Sequence, residues 1–126
     1  MPATVRPRRL RFRVPISPRR FVHVTVCDTI EDMHKAIEKC HGTKHRNELG
    51  CTIFFPGATD KGCIANMFLN WRDFRPGVIA HESEHAAQNV CAVLGEKSEL
   101  MNNEALATWT EKLVDAIWIR AQTSPL

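Results

Sequence analysis

The hydrophobic pattern predicts an α+β domain built on a small antiparallel or mixed sheet. Three observations carry this. Near its start the chain alternates apolar and basic residues with a period of two. Its middle holds two apolar runs separated by a Pro-Gly turn, and its C-terminal part repeats apolar residues at helical spacing. With 126 residues, 44% hydrophobic and 25% charged, the chain has the size and composition of one globular domain, residues 1–126.

Each element follows from local chemistry. Leu10, Phe12 and Val14 alternate with Arg9, Arg11 and Arg13, as in a half-buried strand, and residues 1–9 form a basic arm that can stay disordered. Pro15 and Pro18 punctuate the chain before a β-branched strand over 21–27. Asp28 and Thr29 offer an N-cap to a helix whose Ile30, Met33, Ile37 and Cys40 share one stripe and which stops at Gly42. Residues 43–50 are polar loop. Strands over 51–55 and 63–71 form a hairpin across Pro56 and Gly57. Asp73 and Pro76 open a helix through Val78, Ile79, Ala86, Val90, Val93 and Leu94, closed by Gly95. After a connector over 96–101, a last helix runs from about Asn103 to Ala121.

Charge is uneven along the chain. The first twenty residues hold seven arginines and no acid, so the net +3 leaves the remainder at −4. Arginines alternating with apolar residues fit the solvent face of an edge strand, where they discourage edge-to-edge aggregation. Binding of nucleic acid through the same Arg-rich arm is the less favoured alternative. Five cysteines, odd in number and with no CxxC pair, suit free thiols in a reducing compartment, and the arginine-rich start lacks the apolar core of a secretory signal. The expected location is the cytoplasm. No apolar run is long enough for a membrane span.

The feature that carries chemistry is His81-Glu82-Ser83-Glu84-His85. Histidines four residues apart share a helix face and can grip one zinc ion, and Glu82, about 100° round the helix, stands beside the ion as a general base. For a chain of this composition a chance HExxH arises on the order of once in fifty. A third ligand is needed. Glu96, Glu99, Glu104, Glu111 and Asp115 follow His85, and Glu104 is favoured because it opens a second helix after a connector long enough to turn the chain back. Acting on the helix dipole alone, a first-turn Glu104 would need no metal. Cys40, His41, His45 and Cys51 match no common zinc module.

HExxH followed by Asn103-Glu104-Ala105-Leu106-Ala107 resembles the gluzincin branch of zinc metallopeptidases in minimal form, and more closely the small zincin-like proteins encoded by tailed phages and prophages. The resemblance extends in order of elements over about residues 10–120, through 22–27, 51–56, 64–71, 78–86 and 103–107. It implies a minimal zincin-like domain with an HExxH helix and a C-terminal glutamate-bearing helix. It further implies Zn2+ as cofactor, His81, His85 and Glu104 as metal ligands, Glu82 as the catalytic base and a peptide or protein as substrate, in a bacterial host cytoplasm. In the family an edge strand ahead of the active helix binds substrate backbone, a role that would fall to residues 64–71, which read equally well as an ordinary covered strand. Thr108 stands where the family's aspartate orients the first histidine. With no tyrosine in the chain and no histidine after His85, Arg120 and Asn66 are the candidates to stabilise an oxyanion. A second reading keeps the fold as a phage or prophage protein that binds a host or phage partner without hydrolysis.

Overall fold

The computed structural model describes residues 9–42, 48–95 and 103–123. In chain order these form β1 (Leu10–Ser17), β2 (Arg20–Cys27), α1 (Ile30–His41), β3 (Cys51–Phe54), β4 (Cys63–Asn70), α2 (Pro76–Val93) and α3 (Asn103–Thr123). The class is α+β, with one four-stranded mixed sheet ordered β1-β2-β4-β3. The outer pairs are antiparallel and the central pair, β2 with β4, is parallel.

Alternation decides which face each strand buries. On one face Phe12 and Val14 of β1, Val22, Val24 and Val26 of β2, and Met67 and Leu69 of β4 pack with Ile79, Ala86 and Val90 of α2 and Leu113 and Ile117 of α3. Arg11 and Arg13 stay exposed, as alternation requires. On the other face α1 lays Met33, Ala36 and Ile37 over Cys27, Cys51 and Phe68. Small residues let α2 sit close to its neighbours: Ser83, Ala86 and Ala87 are all fully buried, the Ser83 hydroxyl without a hydrogen-bond partner among the described residues. Trp118, late in α3, stacks on Phe74 just ahead of α2 at 5.8 Å, so the two helices run antiparallel.

Local signals act as expected in several places. Thr29 caps α1, its hydroxyl accepting from the Asp32 amide at 3.1 Å, and Gly42 ends that helix at φ 73°. Others need correction. Pro15, read as punctuation, lies within β1, which continues to Ser17 with a register shift between the two, since an edge strand tolerates a missing amide donor. Arg75, not Asp73, occupies the N-cap of α2, with Pro76 first in the helix; the Asp73 amide is bound instead by the Asn70 side chain at 3.0 Å. Cys40 points to solvent rather than into the α1 stripe. β4 is an interior strand, bonded on both sides, so residues 64–71 cannot add a substrate strand; the edge belongs to β3. The basic residues up to Arg8, most of the 43–50 loop, including His45, and the connector with Glu96 and Glu99 lie outside the described residues.

The buried face of β1 supplies the first test. Phe12→Ala should cost about 3–5 kcal/mol in urea unfolding, whereas Arg11→Ala should stay within about 0.5 kcal/mol.

Candidate metal centre

α2 carries the HExxH, and three contacts set its pose. Pro76 starts the helix, Ile79 and Val90 anchor its apolar side, and the buried Asn89 amide donates to the Ile64 carbonyl of β4 at 2.8 Å. That bond fixes the rotation of the helix over the sheet. Glu82 and Ser83 consequently turn inward, while His81, Glu84 and His85 turn outward.

The imidazoles of His81 and His85 meet edge to face, their Nε2 atoms 3.2 Å apart. Two zinc ligands at about 2.0–2.1 Å spanning a tetrahedral angle stand about 3.3 Å apart, so this gap matches the bite of a single ion. It also matches a hydrogen bond from one ring to the other. Glu82, only 5% exposed, receives the Thr52 hydroxyl at 2.7 Å on Oε1. The same hydroxyl lies 3.2 Å from the Glu82 carbonyl, but it has one proton and the carboxylate contact is the shorter. Gly50 leaves room for this arrangement: a β-carbon there would lie 2.9 Å from Glu82 Cγ.

These groups line a cleft of about 710 Å3 bounded by β3 and the first turns of α2, with Leu49 and Phe54 as exposed apolar walls and Arg75 at its side. Cys51 also lines it. Burial, and then the charges of Glu82 and Glu48, push its thiol up to about 11, so at neutral pH the free group is a thiol.

Of the residues expected from sequence, the structure brings together His81, Glu82 and His85. Glu104 is exposed in the first turn of α3. Among the described residues no three His, Cys, Asp or Glu side chains converge in a way that could hold an ion. Thr108 is exposed, with no hydrogen bond to either histidine among the described residues. Asn66 faces the opposite side of the sheet, its amide 3.1 Å from His41 Nε2, and the Arg120 guanidinium lies 5.3 Å from the Phe12 ring centroid. Neither lines the cleft, so the oxyanion candidates read from sequence are misplaced. Among the described residues the cation lining the cleft is Arg75, whose guanidinium lies 3.8 Å from the Asp73 carboxylate. Thr52, Gly50 and Arg75 went unrecognised in the sequence. The one available signal was the need of a buried Glu82 for a donor from a neighbouring element, which does not say which residue provides it.

Compared with known family models, curated proteins and solved structures, the chain matches none.

The Thr52–Glu82 contact is open to a double-mutant cycle. Thr52→Val keeps the shape and removes the donor, and should cost about 1–3 kcal/mol in urea unfolding. In a Glu82→Ala background most of that cost should vanish.

Proposed function

We propose that the chain is a zinc-dependent hydrolase of peptide bonds, of minimal gluzincin type. One observation supports this above the others: two convergent imidazoles stand beside a buried, hydrogen-bonded glutamate at the wall of an open cleft. A purely structural pair of histidines has no need of that glutamate.

In this reading His81 and His85 would hold the ion, and Glu104, which does not converge on them in the structure, would be the third ligand on the strength of its spacing from His85 and the Asn103–Ala107 resemblance alone. Zinc, when bound, supplies Lewis-acid activation of water and of the scissile carbonyl. Glu82 does the proton work. Thr52 holds Oε1, leaving Oε2 to accept a proton from the attacking water and return it to the leaving amine. Arg75 stands at the cleft as the cation for charge developing on the carbonyl oxygen. The open edge of β3 offers ladder hydrogen bonds to an extended peptide, with Phe54, 51% exposed, as an apolar contact beside it. No helix among the described residues is long and apolar enough to cross a membrane, so no membrane-spanning helix enters this picture.

Zinc analysis and a peptide-library digest form the test. The chain should hold about one zinc, lost in the His81→Ala, His85→Ala double variant. Glu82→Gln should retain the metal while hydrolysis falls by about two to four orders of magnitude. A wild-type chain that binds zinc but cleaves nothing, with Glu82→Gln retaining its biological effect, would establish the binding-protein reading instead. Glu104→Ala should weaken zinc binding by about 10–100-fold or more, whereas Glu99→Ala should leave it within about three-fold. The reverse ranking removes Glu104 from the site.

A further inference from the structure

On the face of the sheet opposite α2 and α3, α1 covers only part of the strands. The uncovered part forms a second groove of about 590 Å3. Pairing across the strands organises its floor. Arg13 stands opposite His23 and His23 opposite Asn66, while Arg11 stands opposite Thr25 and Thr25 opposite Phe68. Two rows of side chains therefore run across β1, β2 and β4, each beginning with an arginine. Arg9 extends the basic edge, and Lys39 from α1 and Lys61 from the β3–β4 turn add cations from the other sides. No carboxylate lines the groove, and none of the five cations forms an ion pair with a carboxylate among the described residues.

The floor is not merely charged. The Arg13 guanidinium lies 4.2 Å from the Phe21 ring centroid, making a flat cationic platform, and the partly buried Phe55 lies across the groove. Burial, then the charges of Arg11 and Arg13, hold His23 below the usual imidazole range. Near pH 7 it is a neutral ring with one donor and one acceptor beside the Asn66 amide. Five cations exceed what a single phosphate requires, and planar surfaces with amide and imidazole groups between them suit the faces and edges of unpaired bases. A duplex keeps its bases stacked away from such a floor. An acidic peptide would use the cations and leave the platform idle.

We propose that this groove binds a short segment of single-stranded nucleic acid, its phosphates on Arg9, Arg11, Arg13, Lys39 and Lys61 and its bases on the sheet floor. This differs from an arm-mediated contact because four of its five cations, Arg11, Arg13, Lys39 and Lys61, belong to folded elements and the β3–β4 turn. It stands independently of the peptidase reading, whose cleft lies at the other side of the molecule.

The test is fluorescence anisotropy of labelled twelve-residue oligothymidine and oligouridine with the full-length protein. Binding should weaken with salt, log K falling against log salt with a slope of about −3.5, given ~0.7 per phosphate neutralised on a single strand. Arg11→Glu with Arg13→Glu should lower affinity at least about ten-fold with an unchanged circular dichroism spectrum. The milder pair Lys39→Ala, Lys61→Ala should flatten the slope by about 1.4. Arg6→Ser with Arg8→Ser should leave affinity within about two-fold. Absence of binding at low salt, loss confined to the Arg6, Arg8 variant, or equal competition by duplex DNA or polyglutamate would overturn the proposal.

Discussion

The parallel pairing of β2 with β4 is the constraint on which the rest of the molecule depends. Parallel neighbours cannot be joined by a tight turn, so the chain must leave the sheet and return. Here it leaves through α1 and returns by way of β3, which is thereby displaced to the far edge beyond β4. The same pairing lines up Val22, Val24 and Val26 with Ala65, Met67 and Leu69 on one face. That face takes α2 and α3, and the opposite one is left to α1 alone. Where the HExxH helix sits, which strand lies at the edge beside it and which face remains open all follow from this one contact.

The organisation of the molecule separates its chemistries. Histidines and a buried glutamate gather at the β3 edge of the sheet, whereas arginines and lysines gather on the face that α1 leaves open. The apolar layer of valines, Met67 and Leu69 supports α2 and α3, and with them the HExxH. A carboxylate can remain buried at the first site because Thr52 supplies its donor, and cations can crowd the second because they stay near water.

Much of this was legible in the residues. Period-two alternation of Arg9 to Val14 is visible in the sequence and settles which side of β1 is buried. The Thr29 cap, the Gly42 stop and the HExxH spacing are equally local, and each element they mark exists. What could not be read was non-local. Pairing partners are not encoded within a strand, so the interior position of β4 and the edge position of β3 emerged only with the sheet order. For the same reason Thr52, Gly50 and Arg75 went unrecognised beside Glu82, while Asn66 and Arg120 were credited with a site they do not face. Asp73 was read as opening α2 together with Pro76, yet it lies two residues ahead of the N-cap, Arg75.

Gly62 carries a further consequence. A β-carbon at this position would come within 1.8 Å of the Arg19 carbonyl oxygen, and the Gly62 carbonyl accepts the Phe21 amide at 2.9 Å. The turn between β1 and β2 thus rests directly against the turn between β3 and β4, backbone on backbone. The two hairpins meet at a joint that admits no side chain. Such a joint ties their lengths together, because an inserted residue in either turn must be accommodated by the other. Insertions and deletions in these two turns are accordingly disfavoured at this end of the sheet. Tags, circular openings and grafted loops meet the same restriction.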